Sequence, residues 1–127
     1  MEERIKSDIT SEGDIRVLVD TFYAKVNNDP LLSPVFNNIA QVDWKKHLPV
    51  MYSFWNALIL DMPGYKGRPF PMHARLPLTA MHFKRWLKLF HENADEHFAG
   101  QYASIAKAKA DSIAATFQYK LGLIPTP

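Results

Sequence analysis

The chain has no cysteine among its 127 residues. This absence excludes disulfides, thiolate zinc sites, iron–sulfur clusters and cysteine nucleophiles. Stability must therefore come from an ordinary hydrophobic core, and a domain of this length buries roughly two-thirds of the surface that its unfolded chain exposes. We expect one domain over residues 1–127, in a reducing compartment.

The sequence also lacks a long apolar run and a large charge of either sign. Its most apolar stretch, residues 48–62, is too short to cross a bilayer. Residues 1–4 are partly acidic and do not begin a signal peptide. The net charge is only +2 and the basic residues are scattered, which argues against nucleic acid. We expect a cytoplasmic protein with neither a membrane nor a nucleic-acid partner.

Common catalytic motifs are absent as well. There is no Gly-x-Ser-x-Gly, no phosphate-binding glycine loop and no dinucleotide fingerprint. No two histidines have the spacing of a close metal pair, so a multi-histidine zinc or di-iron centre is poorly supported. The five histidines are His47, His73, His82, His91 and His97.

What the sequence does have is helical periodicity and a high aromatic content of 13%. Apolar residues recur at three- and four-residue steps, and no segment shows two-residue alternation, so we predict an all-α fold. The first helix follows Thr10 or Ser11, both good N-caps. A second pattern spans 43–60, with Pro49 either in the first turn of a later helix or at a kink.

Two more helices are predicted, one beginning near Thr79 and one over about 100–121, where Gly122 can end it. Between the first two patterns, residues 31–36 form a short turn or helix broken by Pro34. The side chains expected inside are Ile15, Leu18, Val19, Phe22, Tyr23 and Val26 in the first helix, Phe83, Trp86, Leu87 and Phe90 in the third, and Tyr102, Ile105, Ala106, Ile113 and Phe117 in the last.

Residues 62–77 form a loop by their proline and glycine content. Long irregular loops in compact domains are usually functional or disordered. This loop carries Tyr65, Phe70 and Leu76, so we expect it to pack on the rest of the protein. His73 lies near its end.

Haem binding requires few specific residues, because one neutral imidazole can hold the iron while an apolar cleft buries the macrocycle. A lone histidine is therefore a weak signal, and aromatic stripes are more often core than cofactor pocket. The order of several short motifs is more specific. They are Phe-Tyr at 22–23, Asp-Pro-Leu-Leu at 29–32, Pro-Val-Phe at 34–36, Trp-Lys-Lys-His at 44–47, Phe-Trp at 54–55, Tyr-x-Gly-x-Pro at 65–69, His-x-x-Leu-Pro at 73–77 and Phe-x-x-Trp-Leu-x-Leu-Phe at 83–90.

In this order and spacing the chain closely resembles the truncated haemoglobins, specifically their group III branch, over roughly residues 18–117. The resemblance implies a shortened globin fold, a two-over-two helical sandwich around haem b. It implies that His73 is the proximal ligand of the haem iron. His82, in a helix four residues before Trp86, is the alternative, but the family places its proximal histidine in or beside the loop.

The resemblance also implies the remaining site residues. Tyr23, His47 and Trp86 match the distal ligand-binding residues, and His47 is a candidate gate or acid–base group. The haem-contact residues are Phe22, Phe36, Leu48, Met51, Trp55, Leu76, Phe83 and Phe90. The candidate partners of the haem propionates are Tyr65, Arg68 and Arg75.

The leading hypothesis is a haem protein that binds oxygen or another diatomic ligand at a five-coordinate haem b iron. Redox turnover, such as nitric oxide dioxygenation or peroxide reduction, would add a reductase partner. Hydrogen bonds from the distal side would hold oxygen tightly, which suits chemistry or sensing better than bulk transport. Two alternatives are a ligand sensor and a haem-free, globin-like interaction module, which would show no Soret absorption band.

Overall fold

The computed structural model describes residues 6–63 and 76–123, and within those stretches every regular element is a helix. The elements are α1 (Glu12–Asn27), a π-helical segment (Pro34–Ile39), α2 (Trp44–Leu60), α3 (Ala80–His97) and α4 (Gln101–Lys120). None of the helices in the described stretches has the length and apolarity that a membrane span requires. The all-α prediction is confirmed.

Helix α1 forms as its sequence predicts. Ser11 is the N-cap, and its side chain accepts a hydrogen bond from the backbone N–H of Asp14 at 3.2 Å. Glu12 and Asp14 lie in the first turn, where their negative charges interact favourably with the positive end of the helix dipole and stabilise the helix. The six apolar positions expected inside are all buried, which makes α1 the central element of the core.

Pro34, predicted to break a short turn or helix, and Pro49, for which two positions were predicted, both lie within helical segments. Pro34 begins the π-helical segment instead of breaking a helix, because a proline in the first turn needs no N–H partner. Helix α2 begins at Trp44 and runs through Pro49, so the alternative of a later start is wrong. Pro49 is exposed, and the hydrogen bond that it cannot donate is one of many in a helix of 17 residues.

Helix α4 buries a stripe of small residues. The buried positions are Ala103, Ala106, Ala110, Ala114 and Phe117. Tyr102, expected inside, is instead 40% exposed, because it lies one position off this stripe. Alanines at the contact let α4 approach α3 closely. The helix ends as predicted, with Gly122 at a φ of 75° and the N–H of Leu123 bonded to the carbonyl of Gln118 at 2.8 Å.

A residue far away in sequence caps the start of α4. The Asp8 carboxylate accepts hydrogen bonds from the backbone N–H groups of Tyr102 and Ala103, both at 2.9 Å. Burial acts to raise the pKa of Asp8, but these backbone donors outweigh it and leave the pKa below its usual value. Gly100 is required beside this carboxylate: its φ is 137°, and a Cβ there would lie 2.5 Å from the Asp8 Cγ.

The helices form two layers. Helix α1 packs on α2 and on α3, α3 packs on α4, and α2 contacts α4 over a smaller area. Helices α2 and α3 meet at Trp55 and Phe90, whose rings stack 4.9 Å apart. This arrangement places the second half of α1, the start of α2 and the middle of α3 around a common interior.

Candidate functional site

Tyr23 lies at the centre of a cage of aromatic side chains. Its ring centroid is 5.0 Å from that of Phe22, 6.1 Å from Phe36, 5.2 Å from Trp44 and 5.8 Å from His47. We call this group the ring cage. It draws on α1, the π-helical segment and α2. These three elements converge here because the chain turns sharply after α1 and returns through the π-helical segment.

The Tyr23 side chain is buried, with 6% of its surface exposed. Burial raises the pKa of the phenol well above its usual value, so the hydroxyl stays protonated at any physiological pH. No residue in the described stretches forms a hydrogen bond with this hydroxyl. A neutral phenol that has no hydrogen-bond partner among the described residues is a donor available to a ligand.

Trp86 reaches the same interior from α3. Its ring lies edge-on to Phe22 at 5.5 Å and stacks on Phe90 at 5.7 Å. Phe22 thus contacts both Trp86 and Tyr23. Of the three predicted distal residues, the structure brings Tyr23 and His47 into ring contact, and it links Trp86 to them through Phe22.

The predicted haem-contact residues fall into two groups by burial. Phe22, Trp55 and Phe90 have only 1 to 2% of their surface exposed and belong to the main core, and Phe83 lies with Phe117 in a smaller cluster beside it. The others are half-buried and keep apolar surface uncovered. These are Phe36 in the π-helical segment, Leu48 and Met51 on α2, and Leu76 before α3.

The predicted iron ligand and propionate partners cannot be placed. His73, Tyr65, Arg68 and Arg75 lie outside the described residues, so they remain predictions. Within residues 6–63 and 76–123, no group of three or more potential metal-ligating side chains occurs.

Two other histidines have structural roles. The Nδ1 of His82 lies 3.0 Å from the backbone N–H of Thr79, in a capping box that begins α3. The Nε2 of His91 pairs with the Asp111 carboxylate at 2.7 Å on the surface. The contact with Thr79 gives His82 a capping role at the start of α3.

Two further polar contacts were not predicted from the sequence. The Trp44 indole Nε1–H donates to the Asn37 side chain at 2.8 Å. Arg85, next to Trp86, pairs with the buried Asp29 carboxylate at 2.7 Å. Asparagine and surface arginine side chains have many roles, so neither residue carries a recognisable signal on its own.

Asp29 also organises the turn after α1. Its carboxylate accepts hydrogen bonds from the backbone N–H groups of Leu31 and Leu32, both at 3.0 Å. Burial acts to raise the pKa of Asp29, but the Leu32 N–H, Arg85 and the Leu31 N–H together hold it below its usual value. The Asp-Pro-Leu-Leu motif at 29–32 thus fixes the corner from which the π-helical segment begins.

A second concave region lies on the opposite side of α1, as an open groove of about 560 Å³ between α1 and α3. Seven of its nine lining residues are polar or charged, and the nine are Thr21, Ala24, Lys25, Asn28, Asp29, Leu89, Glu92, Glu96 and His97. It contains no predicted site residue. The three carboxylates of this open groove do not suit a flat apolar macrocycle, whose sites are mostly apolar.

The residues around the ring cage do fit haem. Half-buried apolar side chains from α2 and the π-helical segment leave surface that a planar apolar group can cover. The Tyr23 hydroxyl and the Trp86 indole supply donors without charge. This combination of an apolar wall and a few polar donors is typical of cofactor pockets.

Known proteins resemble this chain both in sequence and in fold. The family model described as bacterial-like globin matches residues 7–119. The chain is 32% identical to the group 3 truncated haemoglobin of Campylobacter jejuni, in an alignment covering 93% of this chain and 98% of that protein. The crystal structure of the group III truncated haemoglobin from Campylobacter jejuni matches with a TM-score of 0.81 and 33% identity, covering 92% of this chain and 95% of that chain.

The helical sandwich and its apolar, aromatic interior define a globin. The chain belongs to the bacterial-like globin family and, within it, to the group III truncated haemoglobins. Its cofactor is haem b, and its general activity is the binding of a diatomic gas ligand at the haem.

Proposed function

We propose that the protein binds oxygen or a related diatomic ligand at a five-coordinate haem iron held by His73. Haem with one axial imidazole supplies an open coordination position for such a ligand. The observation that carries this proposal is the Tyr23 phenol, buried and uncharged within the ring cage and without a described acceptor.

Tyr23 and Trp86 would act as hydrogen-bond donors to the ligand. A hydrogen bond to a partly charged acceptor in a dry pocket contributes about 1.5–3 kcal/mol. Loss of one such bond corresponds to a roughly ten- to hundredfold change in ligand dissociation. Tight holding of this kind suits chemistry or sensing better than bulk delivery.

Redox turnover of nitric oxide or peroxide is the second candidate function. It is favoured by the His47 imidazole, whose ring lies 5.8 Å from that of Tyr23. An imidazole can accept or release a proton beside the ligand. Sustained turnover would also need a reductase to supply electrons.

Absorbance spectra of the ferric, ferrous and oxygen-exposed protein, with a matched pair of histidine variants, test this function. We expect a Soret band in the wild type and its loss in His73→Gly, because haem retention needs the axial ligand. His82→Ala should keep the band, since His82 caps α3. A normal haem spectrum in His73→Gly would refute the ligand assignment, and a wild type without a Soret band would favour the haem-free alternative.

A further inference from the structure

The indole of Trp44, the first residue of α2, is tethered to two other parts of the chain. Its Nε1–H donates to the Asn37 Oδ1 at 2.8 Å. The Asn37 Nδ2 in turn lies 2.9 Å from the Asn27 Oδ1, at the end of α1, and 3.2 Å from the carbonyl oxygen of Ser33. One amide side chain thus connects the end of α1, the π-helical segment and the start of α2.

The tethered indole is also a wall of the ring cage. It contacts both polar residues of the cage, with centroids 5.2 Å from Tyr23 and 5.6 Å from His47. It stacks on Phe36 at 5.9 Å with an interplanar angle of 25°. Any rotation of this indole therefore moves the surface on which the phenol and the imidazole rest.

The π-helical segment explains how Asn37 reaches the indole. In an α-helix, neighbouring residues point in different directions and do not meet on one face. Here the N–H of Ala40 bonds to the carbonyl of Val35 at 2.8 Å, which makes a wider turn. Within that turn Phe36 stacks on the Trp44 ring while the adjacent Asn37 accepts from its Nε1–H. π-Helical turns are frequent at functional sites.

We infer that Asn37 is a positioning residue for the distal pocket. By holding the Trp44 indole, it fixes the Tyr23 phenol and the His47 imidazole in the arrangement from which they meet a ligand. This inference rests on the proposed function, because it assigns Asn37 an effect on ligand binding through Tyr23 and His47.

Four variants test it, all in the haem-loaded protein. Asn37→Leu removes the acceptor, and Asn37→Asp keeps an acceptor oxygen for the indole. Trp44→Phe keeps an aromatic ring but removes the N–H, which gives a second route if Asn37→Leu does not fold. Asn38→Leu makes the same exchange at an exposed neighbour in the π-helical segment and is the matched control.

Three readouts are needed. They are the solvent exchange of the Trp44 indole N–H by NMR in the ferrous carbon monoxide form, the infrared carbon monoxide stretch, and the oxygen dissociation rate. Asn37→Leu should speed exchange, add a second stretch band and accelerate oxygen dissociation about three- to tenfold, the change that corresponds to one net hydrogen bond. Trp44→Phe should show the same band and rate changes. Asn38→Leu should stay close to the wild type. Asn37→Asp should change less than Asn37→Leu, because it keeps the acceptor of the indole but loses the donors to Asn27 and Ser33.

Faster indole exchange in Asn37→Leu with an unchanged stretch band and oxygen rate would overturn the inference, because Asn37 would then only connect α1 to α2. Changes in the stretch band and oxygen rate of Asn38→Leu as large as those in Asn37→Leu would also overturn it. Tyr23→Phe separates the inference from the proposed function. If Tyr23→Phe changes both ligand readouts and Asn37→Leu changes neither, only the Asn37 inference fails. If Tyr23→Phe changes neither, the donor role proposed for Tyr23 fails, whereas ligand binding at the haem is tested by the absorbance spectra.

Discussion

The two sides of α1 differ in the bonding of one buried polar residue each, Asn93 on one side and Tyr23 on the other. On the side facing α3, the Lys25 ammonium lies 3.0 Å from both the Asn93 Oδ1 and the Glu96 carboxylate. The Asn93 Nδ2 donates to the carbonyl of Leu18 at 3.0 Å, and Asn93 is completely buried. We call these three side chains the polar network. On the ring-cage side, Tyr23 is also buried, yet no described residue bonds to its hydroxyl.

This contrast separates structural from functional polar groups. The polar network has partners within the protein and holds α1 to α3. The Tyr23 hydroxyl has the properties of a group whose partner is a ligand. Substitutions on the two sides should therefore affect different measurements.

The largest expected effect on stability is on the polar-network side. Asn93→Leu removes a buried amide and leaves the Lys25 ammonium without one of its two acceptors. We expect the free energy of unfolding to fall by about 1–3 kcal/mol, with the oxygen dissociation rate unchanged. Chemical denaturation and stopped-flow kinetics measure the two quantities, with Asn38→Leu as the control. If oxygen dissociation changes as much as in Tyr23→Phe, the two sides of α1 are not separate.

A smaller loss of stability is expected from substitution of Asp29, in the turn after α1. Asp29→Asn keeps an oxygen for the Leu31 and Leu32 N–H groups but loses the charge that pairs with Arg85. Because 38% of the Arg85 side chain is exposed, solvent screening limits the loss to about 1 kcal/mol near neutral pH.

The stability contributed by the Asp29 charge depends on pH. The pKa of Asp29 is lower in the folded protein than in the unfolded chain, so its stabilisation is present above the unfolded value of about 4. It disappears as the pH falls through the folded pKa. The difference in unfolding free energy between wild type and Asp29→Asn should therefore shrink under acid. Asp61→Asn, an exposed site, is the control. A difference that grows in acid would contradict the assignment.

Much of the fold follows from local patterns in the sequence. In α1, the cap at Ser11 and the spacing of six apolar residues set both the helix and its buried face. In α4 the same reasoning misplaced Tyr102, because small alanines carry a weak hydrophobic signal although they form the contact face. Pro49 could not be resolved from sequence, since a proline can begin a helix or be tolerated on its exposed side.

The residues of the candidate site could not be predicted from local patterns in the sequence. Tyr23, His47 and Trp86 came from a resemblance to a family, because a phenol, an imidazole and an indole in three separate segments form no local motif. Asn37 and Arg85 act through contacts 7 and 56 positions away in sequence. Their partners are brought together by the π-helical segment and by the packing of α3, which the residue pattern alone does not encode.

The oxygen dissociation rate of Tyr23→Phe, compared with Tyr52→Phe, tests the central claim most directly. Both variants remove one phenolic oxygen, but the Tyr52 hydroxyl bonds to Asp20 and its ring lies beneath the Arg16 guanidinium, between α1 and α2. We predict dissociation roughly ten- to hundredfold faster in Tyr23→Phe and an unchanged rate in Tyr52→Phe. Equal rates in wild type and Tyr23→Phe would remove Tyr23 from the ligand site.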